Sequence, residues 1–286
     1  MTLRVDSQSE PLGVHDAFKD VISWDEDTAK RWVDILNLRA SSQDQIKLRA
    51  RLIQLAKLRP ADTVVEIGSG TGALLCDLAN SVGPGGRVIG IEPQPFLAKA
   101  ACERLADAGY ETISEVRNES AHELSLESES AAVCLAQTVL IHLSEKIMLQ
   151  SLSEMIRVVQ RAGRVLSVDQ DGDTWVIDHP NRDLTRRIVR FNSDQRYADG
   201  WTGRRLRRLF CQTGLGNVEV HAWSHVDTEI DSYLFGTATR LASAAAAIGV
   251  ISESEHLDWV QQLHEIAAAG HFFSSMNYYA CVGVRV

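Results

Sequence analysis

Apolar positions along this chain recur with two periods that take turns, one of three to four residues and one fit for short strands. From His15 to about Leu58 the spacing is helical, and in QIKLRARLIQLAKL the residues Ile46, Leu48, Leu52, Ile53 and Leu55 mark one face of an amphipathic helix. Pro60 ends it, because a proline restricts the residue before it and cannot donate to a helix. Thr63 to Ile67 (TVVEI) then reads as a strand and Ala73 to Val82 as a helix, with Gly83–Pro84–Gly85–Gly86 as a turn. Arg87 to Glu92 is a second strand, and Pro95 to Ala108 a helix closed by Gly109. Thr112 to Arg117 and Ala132 to Gln137 are the third and fourth strands. Ser144 to Arg161 carries a stripe of Met148, Leu152, Met155, Ile156 and Val159, and Arg164 to Asp169 is the fifth strand. After a helix over Trp201 to Thr213 comes a sixth strand, Asn217 to Trp223, then helix over 227–269 and a closing strand, Asn277 to Val286.

Strands alternating with helices of this length predict parallel βαβ units in an α/β, doubly wound sheet covered on both faces. Composition agrees: 286 residues, 45% hydrophobic and 23% charged, are enough for a sizeable core. A net charge of −9 tilts against nucleic acid as partner, since such proteins leave a basic footprint. Residues 1 to 14 read as polar and loose, with no apolar run of a secretory leader. The longest small-apolar stretch, Leu241 to Ile251, is too short to cross a bilayer, so no membrane partner is expected. Five cysteines without a CxxC pair fit a cytoplasmic protein with reduced thiols and no metal site. Self-association stays open.

The chemistry concentrates in VVEIGSGTGALL, Val64 to Leu75, where a strand runs through glycines into a helix. Glycine serves there because the backbone turns sharply and a ligand must approach without a Cβ in its way. Glu92, at the end of the next strand, can accept hydrogen bonds from both hydroxyls of a ribose. A dinucleotide is one reading, since Gly68, Gly70 and Ala73 satisfy the looser G-x-G-x-x-A fingerprint. S-adenosylmethionine is the other, and is favoured by Gly72 and by Glu66, placed to face an ammonium group.

From Ile46 to Gly214 the sequence resembles the class I S-adenosylmethionine-dependent methyltransferases, in particular those acting on small molecules. The resemblance implies a seven-stranded, mostly parallel Rossmann-like sheet whose last strand runs antiparallel. It divides the chain into an N-terminal helical cap segment over residues 1–58 and a catalytic domain over 59–286 with a helical insertion at about 227–270. It assigns Glu66, Gly68, Ser69, Gly70 and Gly72 to the donor's methionine end, and Glu92 with Pro93 to its ribose. In NESAHEL it assigns Ser120 and Ala121 to the adenine edge, although the family usually has an aspartate where Ser120 stands. In AQTVLIHL it places Gln137 beside the donor and His142 near the methyl group.

Methyl transfer from a sulfonium is an in-line displacement, so the protein aligns the acceptor and, where needed, removes a proton. His142 is the first candidate for that and Asp169 the second, the alternative for His142 being simple packing beside the donor. Asp169, Asp171 and Asp173 have the D-x-D-x-D spacing of a calcium loop, but Thr174 and Pro180 stand where that loop needs glycine and a carboxylate. His221 and His225 share a strand face without a third ligand, and Arg204, Arg205, Arg207 and Arg208 read as a solvated helix face. Aromatic residues outside the sheet segments, among them Trp24, Trp32, Trp175, Phe191 and Tyr233, either line an apolar pocket for a small organic acceptor or hold the cap to the core. A sulfonium-assisted cyclase and an NAD(P)-linked oxidoreductase remain the alternatives to methyl transfer.

Overall fold

β1 (Thr63–Ile67) is buried along nearly its whole length, as expected of a strand flanked by parallel neighbours and covered on both faces. In this computed structural model, which describes residues 16–286, it follows two helices, α1 (Glu26–Ser41) and α2 (Gln43–Ala56). The loose opening expected for residues 1–14 lies outside the described residues. Asp25 and Ser42 start the two helices by accepting from the amides of Thr28 and Gln45. After β1 come α3 (Ala73–Val82), β2 (Arg87–Ile91), α4 (Pro95–Asp107), β3 (Ser114–Arg117), β4 (Ala131–Gln137), α5 (Glu145–Val158) and β5 (Val159–Gln170).

The chain lays β2 and β3 to one side of β1 and then returns to lay β4 and β5 on the other, all five parallel. The strand order therefore reverses between β1 and β4, and a crevice opens at their carboxyl ends, where ligands collect in such sheets. Beyond β5 the chain forms β6 (Val176–Ile177), α6 (Arg182–Phe191), α7 (Thr202–Gln212), β7 (Gly216–Asp227), α8 (Tyr233–Ala247), α9 (Glu253–Ala268) and β8 (Ser274–Val284). β8 inserts between β5 and β7, antiparallel to both.

Among the described residues the sheet has eight strands where seven were expected. β5 pairs with β8 only as far as Gln170 opposite Tyr278, so the start of β8 outlasts it. The chain leaves the ladder, turns through Gly172–Thr174, and rejoins it as β6, opposite Ser274 and Ser275. A second difference is α6, in a stretch given no element from the sequence. Asn181 caps it by accepting from the Leu184 amide, and Leu184, Thr185, Ile188 and Phe191 form its buried face. The helix expected over 227–269 breaks at left-handed Gly249, and Ser252 with Glu255 starts α9 by a capping box.

α8 lies along the carboxyl-end crevice, and α6, α8 and α9 pack around a core of their own. Trp175, Phe191, Leu234, Phe235, Trp259 and Phe272 are all buried in it. Trp175, Phe191 and Phe272 serve packing within this cluster. No helix among the described residues is long and apolar enough to cross a membrane.

The acidic run is accounted for by α7. Asp171 is 1% exposed and held by two nitrogens of Arg204, one of them at 2.6 Å, while Arg204 also reaches Asp173 at 3.4 Å. Arg204 stacks on the Trp201 ring as well. Replacing Arg204 with alanine leaves a buried carboxylate alone. Stability to urea is expected to fall by roughly 2 kcal/mol, below the full cost of breaking a buried pair because Arg204 itself keeps contact with water.

Candidate active site

The turn after β1 holds Gly68, Gly70 and Gly72 all in the left-handed region, with φ of 64°, 54° and 78°. At Gly68 a Cβ would stand 2.4 Å from a methyl carbon of Val139, so the position also needs the space. The amides of Gly68 and Ser69 both donate to the Ile91 carbonyl, which ties the turn to the end of β2.

Next to that tie, Glu92 accepts from the Gly70 amide at 2.8 Å and from the Gln94 amide at 3.0 Å. Burial pushes its pKa up to about 7, against those two amides, which favour the ionised form. Glu66, near the end of β1, is raised well above the usual carboxylate range, first by burial and then by the nearby Glu92. One oxygen of Glu66 and the hydroxyl of Ser69 are buried without a partner among the described residues. Orphaned polar atoms of this kind, beside a turn open enough for a ligand, call for a donor group from outside the chain.

These residues line one end of a cavity of about 520 Å³. Glu66, Gly68, Ser69, Gly70, Glu92, Pro93, Ser120, Ala121, Gln137 and His142 all reach its wall. Gly72 does not: it is buried at the start of α3, where a Cβ would meet the Ala101 backbone of α4 at 3.0 Å. Its glycine serves helix packing.

Asp169 is the larger correction. Expected to face an acceptor, it is fully buried and absent from the cavity wall. It accepts from the Ile141 amide and the Ser167 hydroxyl at 3.3 and 3.2 Å, and burial raises its pKa to about 7. It braces the loop that carries His142.

His142 reaches the cavity wall, and its Nδ1 lies 2.8 and 2.9 Å from the two oxygens of Asp16. Phe18 and Tyr197 pack on its ring, with centroids 4.7 and 5.6 Å away. Phe18 belongs to a short helical turn, Ala17–Ser23, that lies along the cavity and is fastened by Gln94 donating to the Val21 carbonyl at 2.6 Å. Behind it Trp24 and Trp32 stack at 5.7 Å.

Among the residues of this wall that escaped the sequence reading are Asp16, Arg39, Arg196 and Arg240. No spacing rule joins them, because they come from the segment before α1, from α1, from the turn after α6 and from α8. His225, read beside His221 as an unlikely metal pair, is buried and fixed between Gln45 and Asp227, while His221 is half-buried near Glu219.

A sequence-family model described as a methyltransferase domain matches residues 64–163, the span from β1 into β5. The chain thus carries a methyltransferase domain. The orphaned Glu66 oxygen, the Ser69 hydroxyl and the Glu92 carboxylate fit S-adenosylmethionine as the methyl donor of such a domain. This methyltransferase is 31% identical over 166 residues to a demethylmenaquinone methyltransferase of Desulfitobacterium hafniense, a match covering 57% of this chain and 64% of that enzyme. Over 252 residues it is 27% identical to an uncharacterised 37.1 kDa protein in transposon TN4556 of Streptomyces fradiae, covering 87% of this chain and 70% of that one. A geranyl diphosphate methyltransferase solved with S-adenosylmethionine superposes over 94% of each chain with a TM-score of 0.53. At 15% identity that likeness concerns the fold.

In this methyltransferase Gly68→Ala adds both left-handed strain and a clash with Val139. A loss on the order of 3 kcal/mol in unfolding stability is expected, with weakened S-adenosylhomocysteine binding in calorimetry. Wild-type values for both would mean the turn relaxes freely.

Proposed function

We propose that this enzyme methylates a small organic molecule inside the cavity between the glycine turn and the cap, with His142 taking the acceptor's proton. The observation that carries this reading is the Asp16–His142 pair on the cavity wall. A carboxylate on Nδ1 selects the tautomer that donates there and leaves the Nε2 lone pair free. Asp16 orients the ring and stabilises the imidazolium that forms when His142 accepts a proton. When bound, the donor supplies an electrophilic methyl group on a sulfonium.

Glu66 would hold the donor's ammonium group and Glu92 the ribose hydroxyls. Ser120 and Ala121 would lie along the adenine, and Gln137 beside the methionine part. The segment up to residue 58 would belong to the cap, since Asp16, Phe18 and Arg39 come from it. Five free cysteines agree with a reducing compartment, and we place the enzyme in the cytoplasm.

Calorimetric titration with S-adenosylhomocysteine tests the donor half, and pH sharpens it. Glu92 has a pKa near 7 against an ordinary value of 4.5, so its contribution to the stability of the free protein is present below pH 4.5 and lost as pH rises through 7. The ionised carboxylate accepts from the ribose hydroxyls with both oxygens and more strongly than the neutral acid, so affinity should rise between about pH 6 and about pH 8. Glu92→Gln should weaken binding and flatten that profile; a profile that keeps its slope would remove Glu92 from the ribose.

The acceptor half is tested with candidate small molecules and product mass, a gain of one methylene unit marking transfer. With an acceptor in hand, His142→Gln should lower kcat by about 10²- to 10⁴-fold, the usual range for a lost general base. S-adenosylhomocysteine affinity should stay within about twofold of wild type. Asp16→Asn should lower kcat less and shift its pH profile. Unchanged turnover in His142→Gln would reduce that residue to packing.

A further inference from the structure

The same cavity is lined by three arginines that lack a carboxylate partner, drawn from three elements: Arg39 of α1, Arg196 at the end of a π-helical turn over Asn192–Arg196, and Arg240 of α8; Arg49, also on the wall, is paired with Asp77. Arg196 is 7% exposed, yet its Nε has no partner among the described residues, and neither has that of Arg39. Each guanidinium carries five N–H donors. The hydrogen bonds the three make go only to neutral oxygens: Arg39 to the Thr138 hydroxyl at 2.8 Å, Arg196 to the Asn192 amide and Tyr197 hydroxyl at 3.1 and 3.2 Å, and Arg240 to the Thr237 hydroxyl at 2.9 Å.

No carboxylate of the described residues lies within 4.0 Å of any of the three. Other arginines of the chain do find one: Arg49 has Asp77, Arg157 has Glu154, Arg204 has Asp171 and Arg205 has Asp199. The three in the cavity instead share one wall without a counter-charge. Burial holds the Arg240 guanidinium below its ordinary pKa, and repulsion from Arg196 adds to that against the pull of Tyr233. Arg39 lies 5.8 Å from the centres of the Tyr233 and Tyr278 rings, and Arg196 5.1 Å from that of Tyr197. Aromatic faces lessen the cost of a buried cation, but they do not fill the planar N–H fork that suits an oxyanion.

We propose that the methyl acceptor carries an oxyanion group, a carboxylate or a phosphate ester, and that Arg39, Arg196 and Arg240 receive it. This rests on the reading of the cavity as the place of methyl transfer. The arginines would fix the anionic end of the acceptor while the atom to be methylated lies toward His142, whose ring packs on Tyr197, the residue that Arg196 also contacts. Neutral molecules of the same shape would leave three cations buried and unpaired, so selection against them follows from the same residues.

The full chain, saturated with S-adenosylhomocysteine, is titrated calorimetrically with inorganic pyrophosphate, inorganic phosphate and benzoate. At least one should bind with one-to-one stoichiometry, and the Arg196→Gln/Arg240→Gln variant should bind it at least about tenfold more weakly while holding S-adenosylhomocysteine within about twofold of wild type. Binding of the phosphates assigns a phosphorylated acceptor, and binding of benzoate alone a carboxylate. Because the arginines repel each other without a counter-charge, the same variant should melt at or above the wild-type temperature. The proposal is overturned if no probe binds, if the variant binds as well as wild type, or if its melting temperature falls by more than about 5 °C, which would make the arginines structural. Should S-adenosylhomocysteine itself fail to bind, the donor reading falls. The same titrations on the free protein then decide the anion site separately.

Discussion

Two carboxylates nearly out of water at the ends of neighbouring strands set the terms for this structure. Glu66 is 3% exposed and Glu92 4%. Burying a charge is costly unless it is paired, so each must be neutralised or given donors. Glu92 receives two backbone amides, and one of these, Gly70, can point there only because the turn runs through left-handed backbone. That turn in turn requires Gly68, with Val139 behind it, and the tie of Gly68 and Ser69 to β2. Glu66 has no such set within the chain, which is why its burial points outward to a ligand.

The parts legible in the sequence are those where one local rule decides. Strand and helix periods gave β1 to β5 and the order of elements, and the left-handed glycines were visible in GSGTG because only glycine adopts that backbone cheaply. Gly72 shows the limit of that rule: its left-handed backbone is real, but what fills the space beside it is Ala101, a contact no local pattern encodes. Asp169 shows another. It follows a strand at the right end of the sheet, yet strand residues alternate faces, and its side chain turns inward to the Ile141 amide and Ser167. Residue α6 helix formation was hidden because its buried face, Leu184, Ile188 and Phe191, is diluted by five charged residues in ten. Asp16 and the cavity arginines were hidden for a different reason, since they meet only in three dimensions.

α8 is not a separate lid resting on the sheet. A line of hydrogen bonds runs from Gln137 at the end of β4 to Gln45 of α2, from there to His225 on β7, and on to Asp227, which accepts from the Leu234 amide at the start of α8. Every link is 2.8–3.1 Å long, and Gln45 and His225 are each 1% exposed. Buried polar groups joined in this way are rigid, because breaking one bond leaves two groups unsatisfied in a place without water. The donor end of the sheet and the helix that carries Arg240 are thereby held at a fixed distance.

That rigidity explains why the cavity can keep carboxyl and guanidinium groups that do not pair with one another. Glu66 stands on β1 and Glu92 just after β2, and the guanidinium groups on α1, the turn after α6 and α8. In a softer scaffold they would collapse into ion pairs, which would satisfy the protein and leave a ligand little to gain. Held apart, each would keep its attraction for a ligand group: Glu66 for the donor's ammonium, Glu92 for its ribose hydroxyls, the arginines for an anionic acceptor. The cost appears as lost stability in the free protein, a trade that functional sites commonly make. The Asp16–His142 pair lies on the same wall, so binding at both sets would bring the acceptor's reacting atom toward an imidazole already oriented by a carboxylate.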